Sequence, residues 1–261
     1  MLKVGVVQMK CVTGDRDANL AKAEAMLKEM AAKSVRLAVL PELFSGGYRL
    51  DERYVEFAEA ENGPTISALR SWAKQYDMWL ACTYIRPSRR EGAILNAGLF
   101  VSPQGELSRI DKKGLWGQEV RYFERGRGLP VIEIDGIKTG MAICYEIGFP
   151  EITRRLAQQE AEIIVVPSAF GAARLYAWKL ATRARALENG VFIAAANHLG
   201  TEKDSSFCGH SRIVSPQGRV LREIPMEEGW IAQQLDIEEV RVQRERLPYL
   251  QDLRVLEELL N

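Results

Sequence analysis

The order of hydrophobic patterns along the chain predicts an α/β fold built on a mixed β-sheet. Two observations carry this expectation. Short apolar runs of strand length alternate with segments whose apolar residues recur at helical spacing. In the middle of the chain, β segments also follow one another directly, as antiparallel hairpins do. KVGVVQM, residues 3–9, is the first strand. From Asp17 to about Lys33 the positions Leu20, Ala23, Met26, Leu27 and Met30 mark a helix. VRLAVLPE (35–42) is a buried strand stopped by Pro41, and a helix after Pro64 runs through Ile66, Leu69, Trp72 and Ala73. MWLACTYI (78–85) is the next strand, followed by β segments at about 94–111 and 130–144. A helix over Pro150–Gln159 leads into AEIIVVPSAF (161–170), and a helix near 174–189 leads into VFIAAANH (191–198). Two β regions, 207–224 and 229–236, close the core, and 236–261 reads as a charged helical arm outside it.

Residues 1–261 read as a single domain, with no linker, low-complexity stretch or charge block to mark a boundary. A partial internal echo is present. VSPQG occurs at 101–105 and again at 214–218, and VRLAVLPELF (35–44) parallels AEIIVVPSAF (161–170). Pro presets φ for a turn and Gly tolerates positive φ, so such turns also recur by chance in β-rich chains. Duplication and chance both account for the echo at this stage.

Composition excludes several classes of function. The 261 residues carry 35 Lys+Arg against 35 Asp+Glu, which argues against a nucleic-acid binder, an acidic tail or a polybasic membrane anchor. No apolar run approaches the ~18 residues of a membrane span, and the amino terminus reads as a strand rather than a signal peptide. The chain is therefore expected to be soluble and cytoplasmic. Two histidines, His198 and His210, and the lack of CxxC or HExxH spacing argue against a catalytic metal. The four cysteines, Cys11, Cys82, Cys144 and Cys208, show no paired spacing, as expected of free thiols in a reducing compartment.

Three polar residues directly follow apolar strands: Glu42, Lys112 and Cys144. In open α/β sheets such strand ends converge on one crevice. Singly, each has a plain structural reading as a loop carboxylate, an exposed turn lysine or a buried thiol. Jointly they match covalent cleavage of an amide, which needs a nucleophile, a base and a donor for the oxyanion. A free thiol titrates at about 8.5 and needs assistance to become a thiolate. Pro150 and Glu151 open a helix just after Cys144, and the amides of such a turn are expected to favour the thiolate. With so few histidines, a desolvated glutamate is the expected base.

The ordered motifs resemble the carbon–nitrogen hydrolases of the nitrilase superfamily. PELFSGGY (41–48) is similar to the segment carrying the family's catalytic Glu, DKKGLW (111–116) to its Lys segment, and CYEIGFPE (144–151) to its nucleophile segment. QEVRYFERG (118–126) resembles the stretch with a second active-site glutamate, while RARALENGVFIAAAN (183–197) and FCGHSRIVSPQG (207–218) resemble later family segments. The resemblance implies a four-layer α-β-β-α sandwich with two mixed β-sheets, assembled as a homodimer or larger homo-oligomer through helices on its outer face. It implies Glu42 as base, Lys112 and the Tyr145 N–H as oxyanion donors, Cys144 as nucleophile and Glu119 in support. No cofactor and no metal are implied. Gly148 stands where the family often has Arg, Gly114 where it usually has His, and Asp111 where Arg is more typical. Lys112 and Lys113 are adjacent, and only one of them can point inward from a strand.

Tyr145 after the nucleophile, where nitrilases usually have Trp, favours an amidase acting on a small carboxamide. An N-carbamoyl amine hydrolase, a nitrilase and a catalytically silent scaffold or binding protein are the alternatives. Tyr48, Trp116, Tyr145, Phe170 and Trp178 are candidates to line an acyl pocket or to be core aromatics. Arg174 is a candidate carboxylate ligand or a surface arginine. His198 and His210 read as structural hydrogen-bonding groups, and Cys11, Cys82 and Cys208 as core thiols.

Overall fold

The computed structural model describes residues 1–49, 51–202 and 205–260. In chain order its regular elements are β1 (Leu2–Gln8), α1 (Arg16–Ala32), β2 (Leu37–Val39), α2 (Pro64–Gln75), β3 (Trp79–Pro87), β4 (Ile94–Val101) and β5 (Leu107–Asp111). There follow β6 (Ile132–Ile134), β7 (Ile137–Met141), α3 (Pro150–Gln158), β8 (Ile163–Ser168), α4 (Leu175–Asn189) and β9 (Phe192–Asn197). The chain continues through β10 (Leu199–Glu202), β11 (Ser205–Cys208), β12 (Ser211–Val214), β13 (Val220–Ile224), β14 (Gly229–Leu235), α5 (Glu238–Arg246) and α6 (Tyr249–Leu260). Among the described residues no helix is long and apolar enough to cross a membrane.

Two six-stranded mixed sheets result, ordered β14-β1-β2-β3-β4-β5 and β6-β7-β8-β9-β12-β13, with β10 and β11 forming a separate hairpin. In the first, β1, β2 and β3 run parallel and β14, β4 and β5 pair antiparallel. The second repeats this: β7, β8 and β9 are parallel, and β6, β12 and β13 antiparallel. Both sequence echoes fall on equivalent places. VSPQG joins β4 to β5 and again β12 to β13, while Pro41 lies just beyond β2 and Pro167 near the end of the equivalent strand β8.

Strand alternation sorts the core into layers. Val4, Val6, Leu37 and Val39 of the first sheet pack with Ile163, Val165 and Ala194 of the second, which places an apolar layer between the sheets. The intervening residues Val7, Ala38 and Leu80 turn outward onto Leu27, Met30, Leu69 and Trp72 of α1 and α2. On the far side, Leu156 of α3 and Trp178 and Ala186 of α4 cover the second sheet. The architecture is therefore the four-layer α-β-β-α sandwich. Each large side chain so buried contributes about 1.5–3 kcal/mol relative to exposure.

Helix ends follow local chemistry. Asp15 caps α1 by accepting from the Ala18 N–H at 3.0 Å, and Pro64 and Pro150 open α2 and α3 where a missing N–H costs nothing. The charged carboxy-terminal segment forms two helices because Pro248 interrupts it. Buried Val240 anchors α5, and Arg244 donates to the Ala161 carbonyl at 2.6 Å. One strand is shorter than its sequence suggests. β2 spans only Leu37–Val39, because Pro41 lacks a donor and Leu43 turns left-handed with φ of 51°.

Candidate active site

Three strand ends and one turn bring the predicted residues together. Glu42 lies beyond β2, in the turn created by Pro41 and Leu43. Lys112 directly follows β5, and its N–H donates to the Asn96 carbonyl of β4 at 2.9 Å. Glu119 sits in a 3-10 turn over Gly117–Arg121 and accepts the Trp116 N–H at 2.6 Å. Cys144 begins a second 3-10 turn beyond β7, with a left-handed φ of 50°. Such a conformation is sparsely populated for a residue bearing Cβ and persists where surrounding contacts hold it.

Glu42, Lys112 and Glu119 are each 0% exposed. The Lys112 ammonium donates to Glu42 Oε1 at 2.7 Å and to both Glu119 oxygens at 2.8 and 2.9 Å. It is Lys112, not Lys113, that points inward; the half-buried Lys113 turns away to the Asp111 carbonyl at 2.8 Å. Glu42 Oε1 also accepts from Asn96 Nδ2 at 2.7 Å, and Glu42 Oε2 from the Ala169 N–H at 3.1 Å. Ala169 and Cys144 line the same cavity, so the amide that holds Glu42 lies beside the thiol.

These contacts set the charge states. Burial alone would deprotonate Lys112, but Glu42 and Glu119 outweigh it and raise its pKa. Burial also raises Glu119, with Lys112 opposing and Glu42 reinforcing. Charges so deeply buried contribute little to stability, since apolar replacements are often neutral or stabilising. Their clustering is informative about chemistry instead. The expectation of a thiolate is corrected: burial, with Glu42 adding and Lys112 opposing, raises the Cys144 pKa well above that of a free thiol. The shift is upward because desolvation and a neighbouring carboxylate outweigh the amides of a short turn.

Cys144 opens onto a cavity of about 140 Å³ lined by Trp116, Tyr145, Phe170, Arg174 and Ala177, among others. Trp116 and Tyr145 meet edge to face at 4.8 Å, and the Arg174 guanidinium lies over the Trp116 ring at 4.4 Å. Arg174 has no carboxylate partner among the described residues. Beyond Trp116 and Arg174 a second cavity of about 350 Å³ is lined by Tyr48, Ser206 and Phe207. Tyr48 also donates its hydroxyl to Glu119 Oε1 at 2.9 Å. Trp178 lies behind Phe170 at 5.2 Å, fully buried, with its indole N–H on the His210 carbonyl at 2.8 Å. The Tyr145 N–H has no acceptor among the described residues.

Several site residues escape sequence reasoning. Asn96 interrupts the otherwise apolar ILNAGLFV, and that buried polar position is the signal that could have found it. Glu146 accepts from the Ile143, Lys113 and Gly114 N–H groups at 2.9, 2.6 and 3.0 Å, tying the nucleophile turn to the chain beyond the lysine. Glu202 is buried against His198, a contact created by the β10 hairpin.

A model of the carbon–nitrogen hydrolase family matches residues 3–245. The chain is 31% identical over 254 residues to a 2-oxoglutaramate amidase of Bacillus subtilis, an alignment covering 96% of this chain and 97% of that one. It is 33% identical over 242 residues to an omega-amidase of Xenopus tropicalis, covering 88% and 87%. An amidase from Nesterenkonia sp. AN1, solved with acrylamide joined to its active-site cysteine by Michael addition, aligns at 25% identity over 95% of this chain and 98% of that chain with a TM-score of 0.86. With a match that runs through both sheets, the chain belongs to the carbon–nitrogen hydrolase family of the nitrilase superfamily and is a hydrolase of non-peptide carbon–nitrogen bonds.

Proposed function

We propose that the protein is an amidase that converts a small carboxamide to a carboxylate and ammonia through a thioester on Cys144. The observation that carries this reading is that Ala169, which lines one cavity with Cys144, donates its N–H to Glu42 Oε2 while the Lys112 ammonium holds the other carboxylate oxygen. Glu42 accepts the thiol proton as sulfur attacks the carbonyl carbon. The resulting oxyanion is held by the Tyr145 N–H and by the positive charge of the Lys112 ammonium. Protonated Glu42 then delivers its proton to the leaving nitrogen, ammonia departs, and a thioester remains. Water adds to the thioester as Glu42 takes its proton, and the thiol is regenerated as the carboxylate leaves. Glu119 keeps Lys112 oriented and charged.

The small cavity suits a short acyl chain, and the unpaired Arg174 favours one ending in a carboxylate, in line with relatives named 2-oxoglutaramate amidase and omega-amidase. An ammonia-release screen over aliphatic, aromatic, ω-amide, carbamoyl and nitrile compounds tests both points. ω-Amides are expected to turn over fastest, and Arg174→Gln to raise KM for them alone. Preference for carbamoyl or nitrile compounds would replace the amidase reading. Intact-mass analysis with a haloacetamide tests the scaffold alternative: one adduct lost in Cys144→Ala supports catalysis, whereas labelling spread over all four cysteines opposes it. The free, buried cysteines support a reducing, cytoplasmic setting. Exposed Tyr176 and Leu180 on α4 support self-association through the outer helices, which sedimentation of Leu180→Glu tests.

A further inference from the structure

We propose that His198 and Glu202 are positioning residues, a buried imidazolium–carboxylate pair that clamps the Glu42–Tyr48 segment at both ends and thereby sets the reach of Glu42 and Glu119. This rests on the reading of Glu42 as the base.

His198 is 0% and Glu202 2% exposed. At one end of the segment, His198 Nε2 lies 2.5 Å from the Glu42 carbonyl oxygen; at the other, Glu202 Oε2 accepts the Tyr48 N–H at 2.8 Å. Between them, His198 Nδ1 meets Glu202 Oε1 at 2.7 Å. A carbonyl oxygen only accepts, so Nε2 carries a proton. A bare Nδ1 would then set its lone pair against a carboxylate, and only a proton between them satisfies both. Against burial, each partner favours its charged form, His198 raised and Glu202 lowered by the other, so that proton rests on the ring and the pair is an ion pair with each end bonded to the same loop.

That loop needs holding. Leu43 is left-handed at φ 51°, and its N–H donates to Thr83 Oγ1 at 2.8 Å. Strained turns of this kind stay put only when several contacts agree on one geometry. Gly47, with φ of +75°, lets the carboxylate approach, since a Cβ there would sit 2.4 Å from Glu202 Oε2. Glu202 Oε2 also accepts from Thr13 Oγ1 at 3.2 Å. From Tyr48 the influence continues through its hydroxyl to Glu119 Oε1 and on to Lys112. One ion pair therefore reaches both carboxylates that hold the ammonium.

Cys11 adjoins this pair, and its thiol, the imidazole and the carboxylate offer ligand atoms within 4.8 Å of one another. A metal there would have to take ring and carboxylate atoms already bonded to each other and to the Glu42 and Tyr48 backbone. The hydrogen-bonded pair accounts for the group without one.

The test uses the full chain and its two histidines. In His198→Gln and Glu202→Gln, kcat for ammonia release is expected to fall about 10- to 100-fold, as when reacting groups are displaced by around an ångström, with KM within about twofold. Alkylation of Cys144 by chloroacetamide is expected to slow by the same factor, because it draws on Glu42. Folded variants that keep wild-type kcat, or that change only Tm or KM, overturn the proposal. Wild-type enzyme labelled with ¹⁵N-histidine, assigned with the help of His210→Gln, supplies a readout independent of variant folding. His198 is expected to show both ring nitrogens protonated at about pH 8, where an unperturbed imidazole is neutral; a neutral ring overturns the proposal. Full activity in Glu42→Gln would instead defeat the underlying mechanism. An inactive Glu42→Gln beside a fully active His198→Gln would defeat this inference alone.

Discussion

The two sheets offer one backbone plan with different residues at its critical ends. After β2 the chain reads Pro41-Glu42, whereas β8 closes on Pro167-Ser168. Likewise β5 is followed by Lys112 where β13 is followed by Pro225. The first sheet supplies Glu42, the proposed base, and the Lys112 ammonium, and the second supplies Cys144. The Pro turns bond to each other, Glu42 N–H to the Ser168 carbonyl at 3.4 Å and Ala169 N–H to Glu42 Oε2 at 3.1 Å. The repeated scaffold brings two strand ends face to face, and the proposed reaction depends on their carrying different residues. Neither sheet alone holds both Glu42 and Cys144.

The largest expected effect comes from erasing that difference. Glu42→Ser copies the residue that closes β8 into the turn after β2, and kcat should drop by about 10³- to 10⁴-fold with the circular dichroism spectrum unchanged. Ammonia release near the wild-type rate would refute Glu42 as the base. Lys112→Met should cost about 10²–10³ in kcat through loss of an oxyanion donor. It should also lower stability by about 3–5 kcal/mol in urea unfolding, because two buried carboxylates lose their cation. Adding Glu119→Gln should recover part of the stability and none of the rate. Tyr48→Phe removes one charge-directed hydrogen bond, about 1.5–3 kcal/mol, and should lower kcat about tenfold.

Stability should also respond to pH through the second sheet. Burial opposes protonation of His198, but the Cys11 and Glu202 partners outweigh it and raise the pKa. A proton bound natively but not in the unfolded chain stabilises fully below about pH 6.5, the unfolded value, and that stability is lost as pH rises through the folded value. Tm should therefore fall as pH rises above about 6.5, and the slope should flatten in His198→Gln. Glu202 acts in the opposite sense. Its pKa is lowered because His198 and the Tyr48 and Thr13 donors outweigh burial, and its contribution disappears as pH falls through the folded value. The smallest effect compares the twin turns. Gly105 and Gly218 have φ of +83° and +74°, so Ala at either should cost about 1–2 kcal/mol. Gly218→Ala should cost more, because its Cβ would meet the Arg183 carbonyl at 3.1 Å, whereas at Gly105 it meets the movable Lys74 side chain. Equal Tm losses would show that φ alone governs both.

Much of this was legible before folding. Strand alternation, the two VSPQG turns and the polar residues closing apolar runs are properties of neighbouring positions. Glu42, Lys112, Glu119 and Cys144 could be singled out because each lies in a motif of its own. Asn96, Glu146, His198 and Glu202 were not assigned to the site because their roles depend on partners far along the chain. The direction of the Cys144 shift was misjudged for the same reason: its helix neighbours are local, whereas the burial and carboxylate that raise its pKa are not.

What the sequence determined by itself was the alternation of strands and helices and the motifs that hold Glu42, Lys112, Glu119 and Cys144, since hydrophobic period, turn residues and motif order are written locally. Only the tertiary structure decided that the Lys112 ammonium lies between two buried carboxylates, that burial raises the Cys144 thiol, and that His198 and Glu202 meet the two ends of the Glu42–Tyr48 segment. Electrostatic energy depends on distance through space and on exclusion of water, and neither exists until the two sheets have closed on each other.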